Sequence, residues 1–128
     1  MTNEPKTVRP TRLELELLEA LWALGSGSIR EIQESLPKDR RPEYTTVQTL
    51  VYRLEQKGAV ERVKKIGNAH IFRPLVSRKR TLGVLIDDFL HSLGGSAQPL
   101  VAHLIETGRL SLREIRELEK LSRGKGRT

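Results

Sequence analysis

Hydrophobic residues in the first part of the chain recur at helical spacing between clear capping signals. Thr11 and Glu14 have the form of a capping box, so a first helix is expected to begin just after Thr11. A glycine-serine-glycine run at residues 25–27 ends it. Ser28 and Glu31 form a second capping box, which opens a short helix that a proline stops. The apolar stripes of these two helices are Leu13, Leu17, Leu18, Leu21, Trp22, Ile29, Ile32 and Leu36.

A third helix and a β-hairpin are predicted next. Residues 44–57 have helical periodicity and stop before a glycine suited to the position after a helix end. Residues 59–66 and 70–74 are typical of two strands, and Gly67-Asn68 between them is a hairpin turn signal. The order helix, helix, helix, hairpin predicts a winged helix-turn-helix over residues 1–76.

The rest of the chain predicts helices with large apolar side chains. A long helical stretch over residues 77–93 ends at a glycine pair, a shorter helix follows, and Ser111 with Glu114 opens a last one. Because so short a segment buries a core poorly by itself, we expect residues 77–123 to form a helical dimerisation domain. Packing onto the winged-helix domain is the alternative. The expected interface residues are Leu82, Leu85, Ile86, Phe89, Leu93, Leu100, Leu104, Ile115 and Leu118. A disordered tail is expected over residues 124–128. The predicted fold class is mainly α with a small β-hairpin wing.

The charge of the chain is concentrated in its middle. The 128 residues carry a net charge of +7, and residues 36–80 hold twelve basic and four acidic side chains. A basic block in an otherwise balanced chain is typical of a polyanion-binding surface, although a solvated basic surface is the alternative.

Several classes of protein are disfavoured by composition. No cysteine is present, and no apolar run approaches the roughly 20 residues of a membrane span. The histidines, His70, His91 and His103, are widely spaced and lack a metal-ligand pattern. No nucleophile–base pair or glycine-rich phosphate loop is visible. We therefore expect no enzyme activity, no metal and no cofactor, no membrane insertion, and a cytoplasmic location.

The third helix has a polar face without carboxylates. On a helical wheel of about 100° per residue, Val47, Leu50, Val51 and Leu54 share one side and form the expected core stripe. An acid-free opposite face avoids repulsion by phosphates and offers groups that reach base edges. The expected groove contacts are Thr45, Gln48, Thr49, Tyr52 and Arg53. An ordinary solvated helix face is the alternative, and for Tyr52 a phosphate contact is as plausible as a base contact.

Basic residues also lie on the hairpin and in the loop before the third helix. They are expected to contact the sugar-phosphate backbone, which positions a protein on DNA without specifying sequence. The residues are Arg40, Arg41, Arg62, Lys64, Lys65, Asn68 and His70. Val60, Val63 and Ile66 cannot all face one side of a regular strand, so a bulge is expected near Lys64-Lys65.

Three sequence blocks resemble the penicillinase repressor family (BlaI/MecI/CopY type). They are YTTVQTLVYRLEQKG at residues 44–58, VERV at residues 60–63 and GNAHIFRP at residues 67–74, and the first helix is similar as well. The resemblance covers residues 11–121. It implies a homodimeric winged-helix repressor of a dyad-symmetric operator in double-stranded DNA, with targets such as antibiotic-resistance genes. The resemblance also adds Thr46 to the expected groove contacts of the third helix.

The chain departs from that family's pattern in two places. The copper-responsive branch carries a C-terminal cysteine cluster, which is absent here, so the resemblance does not extend to thiolate copper sensing. The antibiotic-responsive branch is cut by a membrane sensor protease at an Asn-Phe bond, and the matching pair here is His103-Leu104. The competing hypothesis for function is a winged-helix RNA- or protein-binding module without operator specificity.

Overall fold

The structure, a computed structural model, describes residues 7–126, with only the backbone described for residues 125 and 126. The helices of this part are α1 (Arg12–Leu24), α2 (Ile29–Ser35), a short 3₁₀ helix (Lys38–Arg40), α3 (Tyr44–Gln56), α4 (Arg78–Ser92), α5 (Gln98–Glu106) and α6 (Leu112–Gly126). The strands are β1 (Val60–Ile66) and β2 (Ala69–Pro74). The chain divides into two compact units between Ile86 and Asp87.

Both capping boxes predicted in the first unit are confirmed. The backbone N–H of Glu14 donates to the Thr11 hydroxyl at 3.3 Å, and the Thr11 N–H donates back to the Glu14 carboxylate at 2.8 Å. Ser28 and Glu31 exchange the same two bonds at the start of α2. Gly25 follows α1 with φ of 83°, a left-handed conformation that glycine adopts at low cost.

The core of the first unit lies between α1, α2, α3 and the hairpin. Its buried apolar residues are Val8, Leu17, Leu18, Leu21, Ile29, Ile32, Leu36, Val47, Leu50, Val51, Leu54, Ala59, Val60 and Phe72. Two members of the predicted stripe of α1 differ: Leu13 is exposed and Trp22 is half-buried. Leu13 stands in the first turn of α1 beside α3, at the edge of the core rather than inside it.

The hairpin has the predicted turn and a bulge close to the predicted place. Arg62 pairs with Phe72 and Lys64 with Ile71, so Val63 is the extra residue of β1. The bulge therefore lies beside Lys64, near the predicted pair Lys64-Lys65. Gly27 exchanges two backbone hydrogen bonds of 2.9 Å with Phe72. This isolated antiparallel bridge joins the segment before α2 to β2.

The start of α4 is fastened to α1 within the first unit. The Trp22 indole N–H donates to the carbonyl of Val76 at 2.9 Å, and Arg78 forms an ion pair of 2.9 Å with Glu19. Thr81 is buried, and its hydroxyl donates to the Ser77 carbonyl at 2.8 Å. The division between units falls inside α4, ten residues after the predicted boundary at residue 76.

The second unit consists of the end of α4 together with α5 and α6. Ser111 and Glu114 form the third predicted capping box, with bonds of 3.1 and 3.2 Å. From residue 87 to residue 124 no side chain is buried. The helix α6 continues to Gly126, so it includes part of the segment predicted as a disordered tail, and residues 127–128 lie outside the described residues.

Candidate nucleic-acid interface

The helix α3 places its apolar residues inward as predicted. Val47, Leu50, Val51 and Leu54 are buried against α1, α2 and the hairpin. The helix begins after Glu43, whose side chain makes no capping bond, and it ends before Gly58 with φ of 82°. The predicted groove-contacting residues lie on the remaining faces: Thr45, Thr46, Thr49, Tyr52 and Arg53 are exposed and Gln48 is half-buried.

The outward face of α3 divides into two edges. Thr45, Thr46, Thr49 and Arg53 line a shallow cleft with Leu13 of α1. Gln48 lies on the other edge and donates from its side-chain amide to the Tyr52 hydroxyl at 3.2 Å. The structure therefore brings the six predicted residues onto one helix but turns them toward two different neighbours.

Thr49 already uses its hydroxyl proton within the helix. Its Oγ1 donates to the Thr45 carbonyl at 3.0 Å. An outside partner can consequently meet only the oxygen lone pairs and the methyl group of Thr49. Such a side chain suits a hydrogen-bond donor on a base edge or a thymine methyl.

A groove of about 610 Å³ lies between α2, α3 and the hairpin. Tyr44, Gln48 and Tyr52 line it from α3, and Arg30 lines it from α2. The hairpin contributes Ile66, Asn68, Ala69, His70 and Phe72. Two of the predicted backbone contacts, Asn68 and His70, therefore share one surface with α3.

Lys64 and Lys65 project charge from the bulged strand. Both are exposed, and neither forms an ion pair with any residue between 7 and 124. Arg53 on α3 is likewise exposed and unpaired within that part of the chain. These three cations keep their full charge available to an external anion.

Arg62 is placed differently from the neighbouring lysines. Its Nε and Nη2 donate to the two carboxylate oxygens of Glu55 on α3, at 2.9 and 3.1 Å. Its guanidinium also lies over the ring of Tyr52 at 5.1 Å and over that of Phe72 at 5.5 Å. The hydrogen bond to Glu55, with the charge of that carboxylate, holds the pKa of Arg62 above its ordinary value despite some desolvation.

Of the two arginines in the loop before α3, Arg41 is also held by hydrogen bonds within the protein, whereas Arg40 is exposed. Arg41 donates to the carbonyls of Glu34 and Leu36, at 2.7 to 3.1 Å, and so satisfies the end of α2. Arg40 lies in a small cleft beside Glu16 and Glu19 of α1. The structure does not bring either of them into the groove between α3 and the hairpin.

Sequence reasoning missed two residues of this surface. Arg30 stacks over the Tyr44 ring at 5.2 Å and lines the groove, and Glu55 fixes Arg62. No local signal singled out Arg30, because the first 35 residues carry four basic side chains among six acidic ones. No local signal pairs Glu55 with Arg62, because the end of α3 and the start of β1 separate them.

Two carboxylates of α2, those of Glu31 and Glu34, also line the groove. Across residues 7–124 there is no group of three side chains that could hold a metal ion. None of the helices between residues 7 and 126 is long and apolar enough to cross a membrane.

Comparisons with known proteins agree with this architecture. A family model described as the penicillinase repressor matches residues 10–123. The penicillinase repressor of Bacillus licheniformis is 28% identical over 109 residues, covering 84% of each chain. The transcriptional regulator BlaI of Mycobacterium tuberculosis is 30% identical over 104 residues, covering 79% of this chain and 75% of that protein.

A solved structure shows the same fold in the first unit. The solution structure of the DNA binding domain of the repressor BlaI superposes with a TM-score of 0.52 at 26% identity, covering 59% of this chain and 92% of that one. The winged-helix fold and the resemblance seen in the sequence are confirmed, and the family comprises transcriptional repressors rather than enzymes. The chain belongs to the penicillinase repressor family.

Proposed function

We propose that the protein is a transcriptional repressor that inserts α3 into the major groove of double-stranded operator DNA. The observation that carries this proposal is the exposed face from Thr45 to Arg53, which has no carboxylate and ends on an unpaired arginine. Threonine, glutamine and arginine are suited to hydrogen bonds with base edges. A repressor acts where the chromosomal DNA lies, so the proposed location is the cytoplasm.

The hairpin would hold the adjacent sugar-phosphate strand. Lys64 and Lys65 are free to neutralise phosphates, and Asn68 and His70 line the groove beside α3. Backbone contacts of this kind set the register of a protein on DNA, while the helix reads the sequence. In this arrangement the loop residue Arg41 acts as scaffold, because its side chain already binds the carbonyls of Glu34 and Leu36. Arg40 is exposed and remains a proposed phosphate contact.

Apolar residues of α4, α5 and α6 would form a homodimer interface. Phe89 and Leu118 are 51% and 57% exposed, and Ile86 is 52% exposed. The other predicted interface residues are half-buried: Leu82, Leu85, Leu93, Leu100, Leu104 and Ile115. Apolar surface of this extent is unfavourable in water, and a second copy of the chain would cover it. A two-fold dimer would present two reading helices to half-sites about 10 base pairs apart, or a multiple of that spacing.

Release by proteolysis at His103-Leu104 is part of the proposal. This pair lies inside α5, where the carbonyl of His103 accepts the backbone N–H of Thr107 at 3.0 Å. A protease binds its substrate as extended backbone, so a sensor protease in the membrane could cut here only after α5 unwinds locally.

Selection from random nucleic-acid pools tests the proposed function. The full-length protein is incubated with duplex DNA and, separately, with structured RNA, and the bound molecules are sequenced. Recovery of a DNA motif with dyad symmetry is expected. Enrichment of RNA alone, or of no sequence in either pool, would contradict the proposal.

A further inference from the structure

Arg62 links the hairpin to α3, because it contacts residues of both. It donates two hydrogen bonds to Glu55 on α3, and its planar head lies over Tyr52 of α3 and Phe72 of β2. The Tyr52 hydroxyl in turn accepts from Gln48 one turn earlier. A bidentate pair stacked on aromatic rings fixes both the distance and the angle between its partners.

Because of its position in β1, Arg62 acts as a joint between the charged end of the hairpin and α3. It stands immediately before the bulge at Val63, after which β1 carries Lys64, Lys65 and the turn. Whatever holds Arg62 therefore sets where the charged end of the hairpin lies relative to α3. The same contacts occupy both the Nε and Nη2 donors that a phosphate would otherwise engage.

We propose that Arg62 and Glu55 are positioning residues that lock the hairpin against α3, so that helix and wing meet the DNA as one rigid surface. The inference rests on the proposed DNA-binding function and goes beyond it by assigning a role to an acid beside the interface. Arg62 acts through Glu55 and the rings rather than by contacting phosphate.

Glu55 gives the inference its distinctive consequence. Removing a carboxylate next to a phosphate surface ordinarily strengthens binding, because it removes repulsion. If Glu55 holds the joint, its removal weakens specific binding instead. Preorganisation accounts for the loss, since a loose wing must be ordered when the complex forms.

The test measures binding of full-length variants to the duplex selected by the wild-type protein and to a shuffled duplex, over a series of salt concentrations. Glu55→Ala and Arg62→Ala are each expected to lower affinity for the selected duplex about tenfold, a mid-range value for coupled residues. The double variant is expected to be no worse than either single one. The salt slope is expected to stay at the wild-type value.

A conservative variant and a matched control sharpen the test. Lysine binds phosphate as a point charge but cannot reproduce a bidentate, stacked arginine, so Arg62→Lys is expected to bind as poorly as Arg62→Ala. Arg73→Ala is the control, because Arg73 pairs with Glu61 across the same hairpin at 2.5 Å. It is expected to leave the affinity for the selected duplex unchanged.

Two results would overturn the inference. The first is tighter binding by Glu55→Ala, together with a slope of log affinity against log salt that falls by about 0.9 in Arg62→Ala and returns to the wild-type value in Arg62→Lys. That result would show that Arg62 contacts a phosphate directly. Unchanged affinity in both alanine variants would show that the joint is irrelevant. If an alanine variant does not fold by circular dichroism, Glu55→Gln and Arg62→Lys decide the question. Failure of the wild-type protein to select any duplex would contradict the proposed function itself.

Discussion

The Nζ atom of Lys57, the residue directly after α3, lies 2.5 Å from a carboxylate oxygen of Glu14 in the first turn of α1. Glu14 is 1% exposed and also accepts the backbone N–H of Thr11. Burial alone would raise the pKa of Glu14, but the hydrogen bonds from Lys57 and Thr11 and the charge of Lys57 outweigh it, so the pKa is lowered. This contact ties the end of the proposed reading helix to the start of the first helix.

Removing the Lys57 ammonium group should destabilise the fold. Lys57→Met leaves the buried Glu14 carboxylate without its charged partner, and we expect a loss of about 1 to 2 kcal/mol in the free energy of unfolding, reduced by the partial exposure of Lys57. Urea unfolding of the full-length variant measures it. Lys38→Met, at an exposed position on the 3₁₀ helix, is the control and should change little. Equal stability of the two variants would contradict the structural role of the pair.

The same pair should make stability depend on pH in the acid range. Because the folded pKa of Glu14 is lowered, its contribution is complete above the ordinary glutamate value of about 4.3 and is lost as the pH falls through the folded value. The stability advantage of the wild-type chain over Glu14→Gln should therefore shrink as the pH falls below about 4.3. Urea unfolding of both proteins across that range measures the difference. If the stability advantage of the wild-type chain over Glu14→Gln grew as the pH fell, the lowered pKa of Glu14 would be contradicted.

Side chains on the reading helix should affect specificity more than general affinity. Thr49→Ala and Arg53→Ala should each weaken binding to the selected duplex by about 1 to 3 kcal/mol, the usual cost of a lost base contact. Binding to a shuffled duplex should fall much less. Titrations with both duplexes give the ratio, and Arg116→Ala on the exposed surface of α6 serves as control. Equal losses on the two duplexes would remove α3 from base reading.

The hairpin lysines should act without regard to sequence. Lys64→Ala and Lys65→Ala should weaken binding to both duplexes and should each reduce the slope of log affinity against log salt by about 0.9. The measurement is a titration at several salt concentrations, with Lys120→Ala of α6 as the control. A slope that matches the wild type in both variants would show that the wing does not meet phosphates.

Charge placed in the proposed dimer surface should separate the protomers. Phe89→Glu puts a carboxylate on a 51%-exposed aromatic position of α4, and burial of that charge between two copies would be costly. Sedimentation should show a monomer with an intact helical spectrum. Glu106→Gln, exposed in α5, is the control. A variant that remains dimeric would place the interface elsewhere.

Local sequence signals predicted the helix starts well because capping is a local interaction. Thr11 with Glu14 and Ser28 with Glu31 lie three residues apart, and each pair closes its hydrogen bonds within one turn. The hairpin turn was predicted for the same reason. The bulge was predicted near Lys64-Lys65 and lies at Val63, since periodicity shows that a strand must break its alternation but not at which residue.

Side-chain partners between elements could not be predicted in this way. Arg41 and Arg62 stand in a basic segment, which suggested that they face an external anion. In the structure Arg41 binds the carbonyls that end α2, and Arg62 binds Glu55. The packing of the helices and the hairpin determines both partners. Counting charges along the sequence gives no information about that packing. Val8 illustrates the same limit: it is buried although it lies in a polar segment.

A base-resolved footprint of the full-length protein on its selected duplex tests the central claim most directly. We expect two protected major-groove sites related by a dyad, with centres about 10 base pairs apart or a multiple of that. In the double variant Thr49→Ala/Arg53→Ala, protection of the bases should disappear, while weak protection of the DNA backbone should remain. A single protected site without a dyad, or base protection that survives both substitutions, would contradict a dimer that reads DNA with α3.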